Sequence, residues 1–121
     1  MSAADLPVHL RIPLAEGVRF GPGKADLLTR IRETGSVAAA AAAMGMSYRR
    51  AWALVEEMNA AFRAPLVLSV RGGAGGGGAA LSPEGRDVLA AYRALLATIE
   101  AAAAPEVARI ADLLSDMSER K

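Results

Sequence analysis

The fold of this chain is decided by residues 36–52, which read SVAAAAAAMGMSYRRAW. The alanine run from Ala38 to Ala43 predicts a short helix that packs closely against a neighbour, with low-complexity sequence as the alternative. Gly45 ends that helix, and Ser47 is a good N-cap for the next one. A short helix, a glycine-bearing turn and a longer capped helix are typical of a helix-turn-helix, which a plain helical hairpin can imitate.

The second helix of this pair is predicted over residues 48–62. Its apolar residues recur at spacings of three and four and give it one buried face; they are Ala51, Leu54, Val55, Met58 and Phe62. Its amino end remains exposed, and in a helix-turn-helix this end enters a major groove of DNA. The hydroxyls and helix-start amides of that end can bind phosphate, and its arginines can bind phosphate or base edges.

The exposed amino end of this helix also allows a simpler interpretation. Arg49 and Arg50 are then ordinary charges on a solvated face. Trp52 is more typical of a packing residue than of a base-stacking one. Tyr48 fits packing and phosphate contact equally well.

Upstream of these helices, apolar residues alternate with polar ones between Val8 and Leu14, which predicts one half-buried strand. Gly17 allows a turn after it. A first helix is predicted over residues 24–34, with Gly35 as the left-handed residue that follows its end. Ser36 is then placed to cap the alanine helix.

Downstream, residues 66–70 are β-prone, and residues 79–81 form a short return strand around a glycine-rich tip. This hairpin would form a wing whose glycines let the backbone approach a sugar-phosphate chain closely. A phosphate cradle for a nucleotide is the competing interpretation, but the segment lacks the Gly-Lys-Ser/Thr ending of a P-loop. Ser82 and Pro83 then begin a helix that should run to about Ala104, be interrupted at Pro105 and be followed by a second amphipathic stretch.

Composition excludes several classes of protein. A chain of 121 residues is the size of one domain, and its 28 alanines favour helix. It has no cysteine and one histidine, His9, which we interpret as structural or exposed; we therefore expect no disulfide, no metal site, no catalytic residues and no enzyme activity. The net charge is +1, with nine basic and six acidic side chains up to residue 80. We find no strongly apolar span and no signal peptide, so we expect a cytoplasmic protein with no membrane partner.

Six segments, read in order, carry a family resemblance. They are GPGK at 21–24, GSV at 35–37, AAAAMGMSYRRAW at 40–52, MN at 58–59, the glycine-rich run at 72–79 and LS at 81–82. Together they resemble the N-terminal winged helix-turn-helix domain of the ModE-type molybdate-responsive transcription regulators, which is similar to the LysR-type DNA-binding domain. The likeness covers about residues 8–100.

The resemblance implies a mainly α fold with a small β-wing and a long C-terminal dimerisation helix. It also implies a homodimer that binds a palindromic operator in double-stranded DNA and regulates molybdenum-related genes. The expected DNA-binding residues are Ser36, Ser47, Tyr48, Arg49, Arg50, Arg71, Gly72, Gly73, Gly75 and Gly76. The expected dimer contacts are Val88, Leu89, Tyr92, Leu95, Leu96 and Ile99, which form an apolar stripe on the last helix.

The expected organisation is a disordered N-terminus at 1–7, a winged helix-turn-helix at 8–82 and C-terminal dimerisation helices at 83–121. Members of the resembled family carry C-terminal oxyanion-binding domains, and this sequence stops at Lys121. We therefore expect a single-domain member with no cofactor and no small-molecule site. Two other functions remain open, a protein-interaction module without DNA binding and a standalone molybdate or nucleotide binder.

Overall fold

The computed structural model describes residues 6–71 and 77–114, and it describes only the backbone of Arg71 and Gly77. Most of the segment predicted to be disordered, residues 1–5, lies outside these ranges. The elements in chain order are β1 (Ile12–Ala15), β2 (Val18–Phe20), α1 (Pro22–Thr34), α2 (Val37–Ala43), α3 (Tyr48–Ala61), β3 (Val67–Arg71), β4 (Gly77–Leu81) and α4 (Pro83–Leu113). The strands form two antiparallel hairpins, β1–β2 and β3–β4, so the described chain is mainly helical with a small β-wing, as predicted.

The amino-terminal strand is a hairpin rather than the single strand predicted over residues 8–14. Gly17 takes a positive φ of 78° and turns the chain, so that Ile12 pairs with Phe20 and Pro13 with Arg19. The alternation of burial continues back to Val8, but residues 8–11 join no ladder. The carbonyl of Leu10 instead accepts a hydrogen bond of 2.7 Å from the Tyr92 hydroxyl. Alternation alone did not show which of these residues pair.

The ends of α1 and α2 follow the predicted signals. Gly35 closes α1 with φ at 72°, and its N–H donates to the carbonyl of Ile31 at 2.8 Å. The Ser36 hydroxyl accepts a hydrogen bond from the N–H of Ala39 at 3.0 Å and caps α2. Within the alanine run, Ala40 and Ala41 are buried and the other four are exposed. Close packing therefore explains two of the six alanines.

The core is centred on Phe20, which β2 places between α3 and α4. Its ring meets those of Phe62 and Tyr92 edge-on, with centroids 6.4 Å and 5.1 Å apart. The buried aliphatic residues of α1, which are Leu27, Leu28 and Ile31, belong to the same cluster. Burial of each such side chain contributes about 1.5–3 kcal/mol, so this cluster fixes α1 and α4 to the helix-turn-helix.

The last helix begins as predicted and does not break where predicted. The Ser82 hydroxyl accepts the N–H of Gly85 at 3.0 Å, and Pro83 occupies the first turn. The helix then continues through Pro105 to Leu113, so the predicted interruption is wrong. Proline removes the donor for the carbonyl four residues earlier, which here belongs to Ala101. Ala101 is exposed, and water can satisfy that carbonyl.

The apolar character of α4 exceeds the sequence-based expectation. By length and composition alone this helix could cross a membrane, whereas no strongly apolar span was expected. Alanine explains the difference, because it raises hydropathy without large side chains; residues 101–104 are all alanine. Such a composition is weak evidence for a membrane span.

Two glycines predict opposite effects of alanine on stability. A Cβ at Gly85 would overlap the backbone carbonyl oxygen of Leu66, whereas a Cβ at Gly23 meets no atom within 4 Å. We expect Gly85→Ala to lower the free energy of unfolding by about 1–3 kcal/mol through overpacking. The matched Gly23→Ala should leave it unchanged or raise it by up to about 1 kcal/mol. Urea denaturation followed by circular dichroism measures both, and equal effects would contradict the close approach of α4 to the backbone of Leu66.

Candidate nucleic-acid interface

The helix-turn-helix is built by α2, a tight turn and α3. The turn depends on Gly45, whose φ of 68° is strained for other residues. The N–H of Met46 donates to the carbonyl of Ala41 at 3.0 Å, which holds the turn against α2. The Ser47 hydroxyl then accepts the N–H of Arg50 at 3.1 Å and starts α3. The predicted helix-turn-helix is confirmed, as are Gly45 as the residue that ends its first helix and Ser47 as the N-cap of its second.

The first turn of α3 presents different residues on different sides. Successive residues of a helix are about 100° apart, so Tyr48 and Arg50 are separated by about 200° and lie on opposite sides. Arg49 falls between them and faces away from the buried side, which consists of Ala51, Val55 and Met58. Because Tyr48, Arg49 and Arg50 are all exposed, this turn can insert into a groove with Arg49 foremost.

On the Tyr48 side of α3 lies a concave surface of about 510 Å³, here called the wing cleft. Its lining includes Ser36, Tyr48, Trp52, Ser69, Val70 and Gly78. The rings of Tyr48 and Trp52 meet edge-on at 6.2 Å, while Tyr48 remains 57% exposed. Tyr48 therefore packs and also offers its hydroxyl. Trp52 is half-buried against the core, as its packing interpretation requires.

The wing is fastened to the helices at two points, one at the end of α1 and one in α3. The N–H of Ala79 in β4 donates to the carbonyl of Gly35 at 2.9 Å, and a Cβ on Gly78 would come within 2.9 Å of the same oxygen. The Asn59 side chain at the end of α3 accepts the N–H groups of Leu66 and Val67 at 2.8 and 3.1 Å. These contacts therefore fix the position of the wing relative to α3.

The tip of the wing is outside the described residues. The predicted DNA-binding glycines there, Gly72, Gly73, Gly75 and Gly76, are not described, and Arg71 is described by its backbone, which pairs with that of Gly77. Their roles stay predictions. The described ladder of the wing runs from the pair Val67–Leu81 to the pair Arg71–Gly77.

On the Arg50 side of α3 lies a second and larger concavity, which the sequence analysis did not identify. This hairpin cleft has a volume of about 760 Å³, and its ionisable lining comprises His9, Arg11, Arg19, Lys24, Arg50 and Glu57. The alternation of residues 8–12 placed His9 and Arg11 on one exposed face, which was the available signal. The alternation does not place Arg19 beside these residues, because that requires the pairing of β1 with β2.

The predicted dimer contacts on α4 divide into two groups. Leu89 and Tyr92 are 2% and 3% exposed within the chain itself, so the structure reassigns them to the protomer core. Val88, Leu96 and Ile99 are half-buried, and Leu95 is 41% exposed. Helical spacing predicts the apolar stripe of α4 as one surface. It does not show which of the apolar side chains α1 and the first hairpin already cover within the same chain.

The fold and this surface define a winged helix-turn-helix protein. The chain belongs to the lysR family of bacterial regulatory helix-turn-helix proteins, whose profile matches residues 24–86. That family consists of regulators, in agreement with the expectation that the chain is not an enzyme.

Individual relatives confirm the resemblance found in the sequence. The chain is 45% identical to the molybdenum-pterin-binding protein MopB of Rhodobacter capsulatus over 83 residues, which are 69% of this chain and 31% of MopB. It is 35% identical to the molybdenum transport protein ModE of Azotobacter vinelandii, over 78% of this chain and 35% of that protein. It is 36% identical to the DNA-binding transcriptional dual regulator ModE of Escherichia coli K12, over 77% and 35%. The chain spans about one third of the length of these relatives.

The hydroxyl of Tyr92 holds the segment that leads into the hairpin cleft, and this contact predicts a pH dependence. Burial raises the pKa of Tyr92 above its ordinary value of 10.0, because the phenolate is disfavoured away from water. The proton is therefore held more tightly in the folded chain. The stability that this contributes is fully present below the pKa that Tyr92 has in the unfolded chain. It is lost as the pH rises through the pKa that Tyr92 has in the folded chain.

We expect Tyr92→Phe to lower the free energy of unfolding at pH 7 by about 1 kcal/mol, because the Leu10 carbonyl loses its donor. The same substitution should reduce the decline of stability above pH 10. Urea unfolding between pH 7 and 11 measures both effects. The exposed Tyr48→Phe is the control, and an identical alkaline decline in Tyr92→Phe and the wild type would contradict the assignment.

Proposed function

We propose that this chain is the DNA-binding domain of a transcription regulator that acts in the cytoplasm as a homodimer on a palindromic operator. The observation that carries the proposal is the first turn of α3, where the exposed Arg49 stands between two clefts. Helix-turn-helix proteins insert this turn into the major groove, and arginine there binds the O6 and N7 atoms of guanine. The names of the relatives support a link to molybdenum-related genes, and no cofactor is proposed for this domain.

The proposed dimer uses the exposed part of the α4 stripe. Leu95 lies beside an apolar groove of about 220 Å³, which is lined by Ile12, Leu14, Phe20, Phe62, Val88, Ala91, Tyr92 and Leu95. An apolar groove next to an exposed apolar helix side suits a second copy of the same surface, as twofold interfaces require. In such a dimer the two α3 helices would enter major grooves about 34–36 Å apart.

A protein-interaction module without DNA binding is the second candidate. The end of α4 favours it, because Ile110, Leu113 and Leu114 are 57%, 74% and 58% exposed. Selection from a random duplex library with purified protein separates the two functions. Enrichment of a palindrome supports regulation, and no enrichment supports the module.

The role of Arg49 can be tested on the selected operator. We expect Arg49→Ala to weaken operator binding by about 1–3 kcal/mol for each half-site and to relax preference at one base pair of each half-site. Fluorescence anisotropy with the operator and its single-base variants measures both. Arg109→Ala, which removes an exposed arginine from α4, is the control and should bind like the wild type. Unchanged affinity and preference in Arg49→Ala would remove it from the interface.

The dimer interface can be tested with a charge in the stripe. We expect Leu95→Glu to halve the mass in solution, because a carboxylate would be desolvated in the apolar contact. Light scattering after size exclusion measures the mass. Ala97→Glu is the control, because it lies about 200° away around α4 and should not affect association. A Leu95→Glu protein that remains dimeric would refute this interface.

A further inference from the structure

The hairpin cleft lies on the side of α3 opposite to the wing, at the height of the same first turn. Arg50 and Leu54 of α3 line it, whereas Tyr48 and Trp52 line the wing cleft. An α-helix with side chains is about 10–12 Å across, and the major groove of B-DNA is about 12 Å wide. A helix that fills this groove has one phosphate backbone on each side, so each cleft would meet a different strand.

The two clefts differ in charge. The described lining of the wing cleft carries hydroxyl groups and no ionised side chain. The hairpin cleft carries the exposed guanidinium groups of Arg11, Arg19 and Arg50, and none of them pairs with a carboxylate in the described part of the chain. The one carboxylate in its lining, Glu57, is paired with Lys24. The cleft is therefore a concave surface with uncompensated positive charge.

The arginines of this cleft are mounted on fixed backbone. Lys24 of α1 donates to the carbonyl of Arg19 at 2.5 Å and pairs with Glu57, which ties β2 to α3. The stem of Arg11 lies over Gly21, where a Cβ would come within 2.9 Å of its Cγ. Tyr92 holds the preceding residue through its carbonyl. These contacts reduce the ordering that a ligand would otherwise have to impose.

We propose that the hairpin cleft binds the phosphate backbone of the DNA strand opposite to the one that faces the wing, through Arg11, Arg19 and Arg50. Phosphate is the partner that fits, because guanidinium groups bind its oxygens in pairs and the first turn of α1 starts at the same cleft. Arg50 then positions α3 on the duplex, and Arg49 reads the bases. This proposal rests on the proposed DNA-binding function.

The test is a salt titration of DNA affinity for the double variant Arg11→Ala/Arg19→Ala. Each lost phosphate contact should make the slope of log K against log salt concentration less negative by about 0.9, so a dimer that loses two contacts in each protomer should show a change of about 3.6. The loss should be equal on the selected operator and on a scrambled duplex, because phosphates carry no sequence. Arg50→Ala removes one contact from each protomer, so it should change the slope of the dimer by about 2 and leave base preference intact.

Control variants separate charge from folding. Arg11→Lys/Arg19→Lys keeps both charges and should retain most of the wild-type slope, and Arg30→Ala/Arg109→Ala removes two other exposed arginines and should retain all of it. Ethylation interference gives a second measurement, in which the double alanine variant should lose its contacts on one strand of each half-site. Unchanged slope and interference in that variant, or altered base preference in Arg50→Ala, would overturn the proposal.

Two outcomes distinguish this proposal from the function on which it rests. Wild-type protein that binds no duplex refutes both. Wild-type protein that binds the operator, with Arg49→Ala impaired and Arg11→Ala/Arg19→Ala unimpaired, refutes the hairpin cleft alone. Free phosphate offers the same oxyanion chemistry, so calorimetry with inorganic phosphate is a further arm. Saturable phosphate binding that leaves DNA affinity unchanged would overturn the assignment to DNA.

Discussion

The side-chain amide of Asn59 joins the end of α3 to the start of the wing, and the rest of the surface depends on this junction. Its oxygen accepts the N–H groups of Leu66 and Val67, and its nitrogen donates to the carbonyl of Val67 at 3.2 Å. From the other side, the N–H of Ser82 donates to the carbonyl of Leu66 at 2.9 Å. Residues 65–67 are thus held by α3 and α4 together. Because backbone groups there have partners on both sides, the wing has one orientation relative to the helix-turn-helix.

This junction gives α3 its place between two unlike clefts. On one side, the wing cleft presents the hydroxyl groups of Ser36, Tyr48 and Ser69 together with small wing residues, which suit close approach of a backbone. On the other side, Arg19 of the first hairpin and Arg11 just before it carry guanidinium groups on backbone that neighbouring contacts hold in place. Within a single helical turn, Tyr48 faces the first cleft and Arg50 the second, and Arg49 faces neither. In the proposed complex with DNA, the flanks of the helix would contact phosphates and its exposed centre would contact bases.

Local signals predicted the parts of the fold that local chemistry controls. Ser36, Ser47 and Ser82 cap helices as expected, and Gly35 and Gly45 take the left-handed conformations that end α1 and α2. These features depend on neighbours within four residues, so the sequence displays them directly.

Features that depend on distant neighbours were not predictable in this way. Tyr92 and Leu89 fit an apolar stripe, but α1 and the first hairpin had already enclosed them. Arg49 and Arg50 are adjacent in sequence and looked equivalent, whereas a rotation of about 100° separates their surroundings. The hairpin cleft gathers residues from β2, α3 and the segment before β1, and one sequence does not reveal such a meeting. Pro105 looked like a helix break because the exposure of Ala101 could not be known.

The continuity of α4 has a mechanical consequence. Its buried residues are Gly85, Leu89 and Tyr92, all in the first three turns, so the 21 residues from Arg93 to Leu113 extend about 31 Å beyond them as a single shaft. Each residue inserted into or deleted from that shaft turns its far end by about 100° and shifts it by about 1.5 Å. A change in the length of this helix therefore rotates Ile110 and Leu113 about the helix axis relative to α3. The length of the helix thus sets the direction in which these exposed side chains point.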